Sequence, residues 1–105
     1  MEEIIIIVED PLKVNYAVKQ ACHLTEKLQG QKVKVTLCAE GNEASKGLLE
    51  EQVGILMIKA SGGEVFACVH EIDEEESLRK VCSVLHGCLT DIERRVNEGA
   101  EIMRI

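Results

Sequence analysis

The chain has 105 residues, 46% of them hydrophobic, which is enough for one core and too little chain for a second domain. A formal net charge of −7 opposes attraction to nucleic acid or to an anionic membrane surface, and Tyr16 and Phe66 are too few aromatics for a base-stacking platform. The composition therefore favours proteins or small molecules as partners.

The run Ile4-Ile5-Ile6-Ile7-Val8 is β-branched throughout and predicts a strand buried inside a sheet. It follows Glu2 and Glu3 instead of basic residues and is too short for a signal core, and no stretch is long enough to span a bilayer, so a cytoplasmic protein is expected. Asp10 before Pro11 is a helix-start signal. Val14, Ala17, Val18, Ala21, Cys22 and Leu28 then recur at helical spacing up to Gly30, predicting a helix from about Pro11 to Gln29. Lys32 to Leu37 alternates polar and apolar residues, as a strand with one wet face would.

Glu40 to Ser45 reads as a turn and Ser45 to Gln52 as a short helix, with Asn42 or Ser45 near its start. Ile55-Leu56-Met57-Ile58 fits a buried strand and the end of a buried helix equally well, and Ser61-Gly62-Gly63 is a turn in either case. Glu64 to Ile72 reads as a strand with Val65, Ala67 and Val69 on one face and Phe66, Cys68, His70 and Ile72 on the other. Asp73 and Glu76 have capping-box spacing. The stripe Leu78, Val81, Cys82, Leu85, Leu89, Ile92, Val96 predicts one last helix that passes Gly87 without ending. A single domain thus spans residues 1–96; for the tail 97–105, set off by Gly99, an added strand and a disordered end both remain open.

The cysteines, Cys22, Cys38, Cys68, Cys82 and Cys88, are odd in number, form no C-x-x-C pair and sit in or beside apolar runs, so reduced core residues are expected. Cys68-x-His70 on a strand face and Cys82 with His86 at helical i, i+4 spacing are the best metal candidates, yet neither completes a four-ligand set. No metal and no cofactor is expected. Cys22 and His23 are adjacent on a helix and diverge, so they make no catalytic dyad. No nucleophile elbow, phosphate loop or dinucleotide fingerprint occurs, and the acidic run Asp73 to Glu76 reads as a solvated helix start. The chain is not expected to be an enzyme.

Gly54-Ile55-Leu56-Met57, Ala60-Ser61-Gly62-Gly63-Glu64-Val65 and Asp73-Glu74-Glu75-Glu76-Ser77-Leu78 resemble, in order, the G-L-M, S-x-G-x-E-V and G-E-D-E-x-x-A-L segments of the HPr family, the histidine phosphocarriers of the bacterial sugar phosphotransferase system. The resemblance covers roughly residues 3–90. It implies an α+β two-layer open-faced sandwich, a four-stranded antiparallel sheet covered on one face by helices. The family's phosphoryl-accepting histidine lies in G-L-H-A-R-P-A, and against that motif Lys13 stands at the histidine and Asn15 at the arginine. A protonated ammonium is no substitute nucleophile, so the resemblance implies a non-phosphorylatable regulatory or protein-docking variant. Its implied docking surface joins Lys13, Asn15 and Tyr16 to Ser45, Leu48 and Leu49.

Asn42-Glu43-Ala44-Ser45 resembles the family's regulatory serine motif, although Ser45 fits an ordinary helix cap as well, and an alternative alignment puts Glu51 there as a permanent negative charge. Two other readings stand beside this one. One is a small α/β ligand-binding or dimerisation module unrelated to phosphotransfer, with residues 55–60 and 64–72 as a hairpin at a dimer edge. The other is a phosphocarrier that uses His23.

Overall fold

Ile5, Ile6, Ile7 and Val8 are all buried, which requires cover on both faces of the strand that carries them. In the computed structural model, which describes residues 2–105, that strand is β1 (Glu2–Val8) and it lies inside a five-stranded sheet. The other strands are β2 (Val33–Glu40), β3 (Glu64–Cys68), β4 (Ser83–Leu85) and β5 (Glu101–Arg104). Their spatial order is β4-β3-β2-β1-β5, and every neighbouring pair is parallel.

This corrects the expectation of a four-stranded antiparallel sheet. Parallel neighbours need a crossover that returns the chain to the starting end, and every link here contains a helix. Helix α1 (Val14–Lys27) joins β1 to β2; α2 (Asn42–Gly47), a 3-10 turn at residues 48–50 and α3 (Gln52–Ala60) join β2 to β3; α4 (Glu75–Arg79) precedes β4; and α5 (Leu89–Asn97) joins β4 to β5. Residues 55–60 and 64–72 therefore form no hairpin.

The helices cover both faces, so the molecule has three layers where two were expected. One face packs Ile6, Val8, Val35, Leu37, Val65 and Ala67 against α1 and α3. The other packs Ile5, Ile7, Cys38, Phe66 and Cys68 against Ile92 of α5.

Asp10 caps the start of the first helical segment, accepting from the Leu12 amide at 2.9 Å. The ambiguous run at 55–58 is helical: Ile55 and Ile58 are buried while Leu56 and Met57 are 64% and 56% exposed, a spacing that fits a helix and not a strand. The stripe read as one last helix is divided into α4, β4 and α5. Leu78 packs on the first sheet face and Ile92 on the second, and one straight helix cannot reach both. The chain turns between them at Gly87, whose φ of 84° suits glycine. The Asp73–Glu76 capping box does not form, since α4 begins after Glu74 with no side-chain cap.

The face of β2 expected to be wet is covered by α5: Thr36 is fully buried and Lys34 pairs with Glu64 at 2.6 Å. The tail is structured, as β5 pairs with β1 from Ile4 opposite Glu101 to Ile7 opposite Arg104. Among the described residues no helix is long and apolar enough to cross a membrane.

Candidate functional site

Because all the strands run the same way, the carboxyl ends of β2, β3 and β4 open side by side. There they border a cleft of about 500 Å³ lined by Glu40, Gly41 and Asn42 after β2, Cys68, Val69 and His70 at the end of β3, and Gly87, Cys88 and Leu89 after β4. In open α/β sheets this edge is where ligands bind.

Cys38 lies opposite Phe66 in the β2–β3 register, and Cys68 lies two residues further along β3 on the same face, so the two sulfurs are diagonal neighbours. The turn at Gly87 carries Cys88 onto that face as the residue that caps α5. Cys68 and Cys88 form a disulfide with their Cα atoms 5.8 Å apart. The Cys38 thiol donates to the Cys68 sulfur at 3.5 Å, the only direction open because Cys68 carries no proton. All three sulfurs lie within 4.8 Å of one another and all three residues are buried. The expectation of uniformly reduced cysteines is thus corrected; Cys22, Cys38 and Cys82 are the free ones.

Two of the free thiols are held in the protonated form by burial. Burial pushes the Cys38 thiol up to about 12, with Glu40 adding to the rise and Arg95 and Arg104 opposing it. Burial likewise pushes Cys82 up to about 11. Cys88 is placed differently, at the amino end of α5 and bonded to Cys68, and its side chain makes no capping bond to the helix.

Two sets of contacts hold this arrangement. Asn42 clamps the loop after β3, accepting from the His70 amide at 2.8 Å and donating to the His70 carbonyl at 2.9 Å. Arg95 of α5 reaches three carboxylates on separate elements: Glu3 at 2.7 Å, Glu64 at 2.9 Å and Asp91 at 2.9 Å. Its guanidinium also stands 5.3 Å from the centre of the Phe66 ring. It thereby fastens α5, and with it Cys88, to the sheet.

Most of the residues singled out from sequence lie elsewhere. Lys13 and Tyr16 are exposed and line a separate groove with Met103 and Arg104. Asn15 donates to Glu51 at 2.8 Å. Leu48 is fully buried and Leu49 partly so, and they belong to the core instead of a docking patch. Ser45 is also fully buried, and its hydroxyl bonds to the carbonyls of Ala39 at 3.1 Å and Cys68 at 3.3 Å. It supports the floor of the cleft and is closed to a kinase while the chain is folded. The first helix start therefore stays together as a surface, while Ser45, Leu48 and Leu49 do not join it.

Neither metal pair read from sequence is assembled. Cys68 is buried while His70 is exposed, and His86 pairs with Glu75 at 2.7 Å, separated from the buried Cys82 by β4. His23 borders a further groove beside Cys22. Sequence reading missed the Cys38–Cys68–Cys88 cluster because its members come from three elements; the one local signal was the common face of Phe66 and Cys68. Fold and site together define an all-parallel α/β domain with a sulfur cluster at the carboxyl edge of its sheet. No known protein family, curated protein or solved structure matches the chain.

Proposed function

We propose that the chain is a thiol–disulfide exchange module, a small α/β ligand-binding domain whose working group is the Cys68–Cys88 couple. The observation that carries this reading is the position of the couple, on the floor of the cleft at the edge where such sheets take their ligands. An incoming thiolate attacks the Cys68 sulfur, and Cys88 leaves as a thiolate at the amino end of α5. A second thiol of the reductant then displaces Cys68, so that two electrons and two protons pass to the protein and the reductant becomes a disulfide. The partner is a small dithiol or an exposed cysteine pair of another protein. This chemistry uses neither Lys13 nor the surface around it.

Thiol counting tests the reading. The unfolded oxidised chain should show the three free thiols, and the chain treated while folded with dithiothreitol should show all five cysteines as thiols. Reduction should lower stability by about 3 kcal/mol, from the entropy regained by the opened loop, read as a fall in the urea midpoint. A disulfide that dithiothreitol cannot open in the folded chain, or a reduced chain that glutathione disulfide cannot reoxidise, would refute it.

A further inference from the structure

A disulfide needs two cysteines, yet this one has a third sulfur held 3.5 Å away in the same buried pocket. We infer that, once the Cys68–Cys88 bond is reduced, Cys38, Cys68 and Cys88 form an all-sulfur, three-coordinate site for a soft d10 cation, Cu(I). The inference rests on the reading that the couple is reducible, and adds to it a ligand and a role for Cys38.

Geometry is the first argument. Metal–sulfur bonds of about 2.3 Å in a trigonal site put the sulfurs roughly 4 Å apart. The Cys38 and Cys68 sulfurs stand 3.5 Å apart and Cys88 is bonded to Cys68 with all three inside 4.8 Å, so it is the Cys68–Cys88 pair that has to part on reduction for the three to surround a cation. Donor chemistry is the second. Thiolates select Cu(I), and among the described residues the cluster includes no histidine or carboxylate to complete the fourfold set that zinc prefers. His70 is turned outward, its backbone held by Asn42.

Burial opposes a charged Cys38 sulfur most, with Glu40 and Asp91 adding to the effect and Arg95 and Arg104 countering it, so the metal itself has to displace the proton. Burial keeps water from competing for the metal. On binding, each thiol gives up its proton to solvent as a copper–sulfur bond forms, and copper stays Cu(I). In the oxidised chain Cys68 and Cys88 are bonded to each other, so a two-electron reduction by a dithiol or phosphine must come first. The site is therefore closed by oxidation and opened by reduction.

The test is anaerobic titration of the full chain, reduced with a phosphine, with Cu(I) held by a coloured bicinchoninate competitor. The reduced chain should take up about one Cu(I), with X-ray absorption showing three sulfur neighbours near 2.3 Å, and the oxidised chain should take up none. Cys38→Ser should lower affinity at least about tenfold, while Cys22→Ser should leave it unchanged. Should Cys38→Ser disturb folding by circular dichroism, the sulfur count on the unaltered chain decides instead. Two sulfur neighbours, equal uptake by the oxidised chain, or five titratable thiols with no copper uptake would overturn the site and leave the exchange reading standing. Failure to obtain five thiols would remove both.

Discussion

The substitution Arg95→Met is expected to lower the stability of the folded chain by about 3 kcal/mol, read as a drop in the urea midpoint at constant slope. Arg95 is only 14% exposed, and it alone joins Glu3 of β1, Glu64 of β3 and Asp91 of α5. Methionine replaces the packing of the stem but takes the guanidinium away from all three carboxylates, of which Glu64 keeps Lys34 and Asp91 keeps Arg94. Partial solvent access at Glu64 and Asp91 keeps the cost at the lower end of that known for a broken buried pair. Lysine is a poor replacement, because one ammonium cannot span three carboxylates as the guanidinium fork does. Arg95→Lys should fall between the wild type and Arg95→Met.

The same network makes stability pH-dependent. Burial pushes the Glu64 carboxyl up, but hydrogen bonds from Lys34 and Arg95 outweigh it and hold the group below the usual carboxylate range. Asp91 is also held low, chiefly by its bond to Arg94 and further by Arg95, against a smaller effect of burial. Groups whose folded values are lowered stabilise the protein above the unfolded carboxylate range, about pH 4, and that stabilisation is lost as pH falls through the folded values. Urea midpoints should therefore decline on acidification below about pH 4, and less steeply in Arg95→Met. Parallel declines in the two proteins would exclude Arg95 as the source.

Phe66→Ala is expected to cost about 3–5 kcal/mol, the range for emptying a fully buried aromatic site. Phe66 fills the space between β2, β3 and α5, in one cluster with Ile5, Ile7, Cys38, Cys68, Cys88 and Ile92. Its loss opens a void next to the sulfurs and removes the ring on which Arg95 rests. Two measurable results follow. The disulfide should become faster to reduce, as thiol release in dithiothreitol will show. The double variant with Arg95→Met should lose less stability than the sum of the single losses, because each change removes the contact they share. Strict additivity would mean that the ring and the guanidinium are energetically independent.

How much of this was legible in the sequence depends on the distance over which each feature is decided. Periodicity and local chemistry sufficed for β1, for the capped start at Asp10-Pro11, for α1 and for the alternation of β3 from Val65 to Cys68, because those depend on neighbours a few residues away, though not for the extension of β3 to Ile72. Between Leu78 and Val96 the same periodicity misled. Two short helices and a strand, packed on opposite faces of one sheet, can leave apolar residues at intervals that mimic a single helix. The segments likened to the phosphocarrier family show a related limit: Gly54 to Met57 lies within α3, and its neighbour across the packing is Val18 of α1.

Sequence by itself determined an acidic chain of mixed helices and strands with a buried first strand and a core of aliphatic residues and cysteine. Tertiary structure alone decided the strand directions, the cover on both faces, the helical state of residues 55–58 and the meeting of Cys38, Cys68 and Cys88. The reason is physical: strand direction follows from crossovers that must bury their own apolar faces, and sulfurs 30 and 20 residues apart become neighbours only when parallel strands end together at one edge.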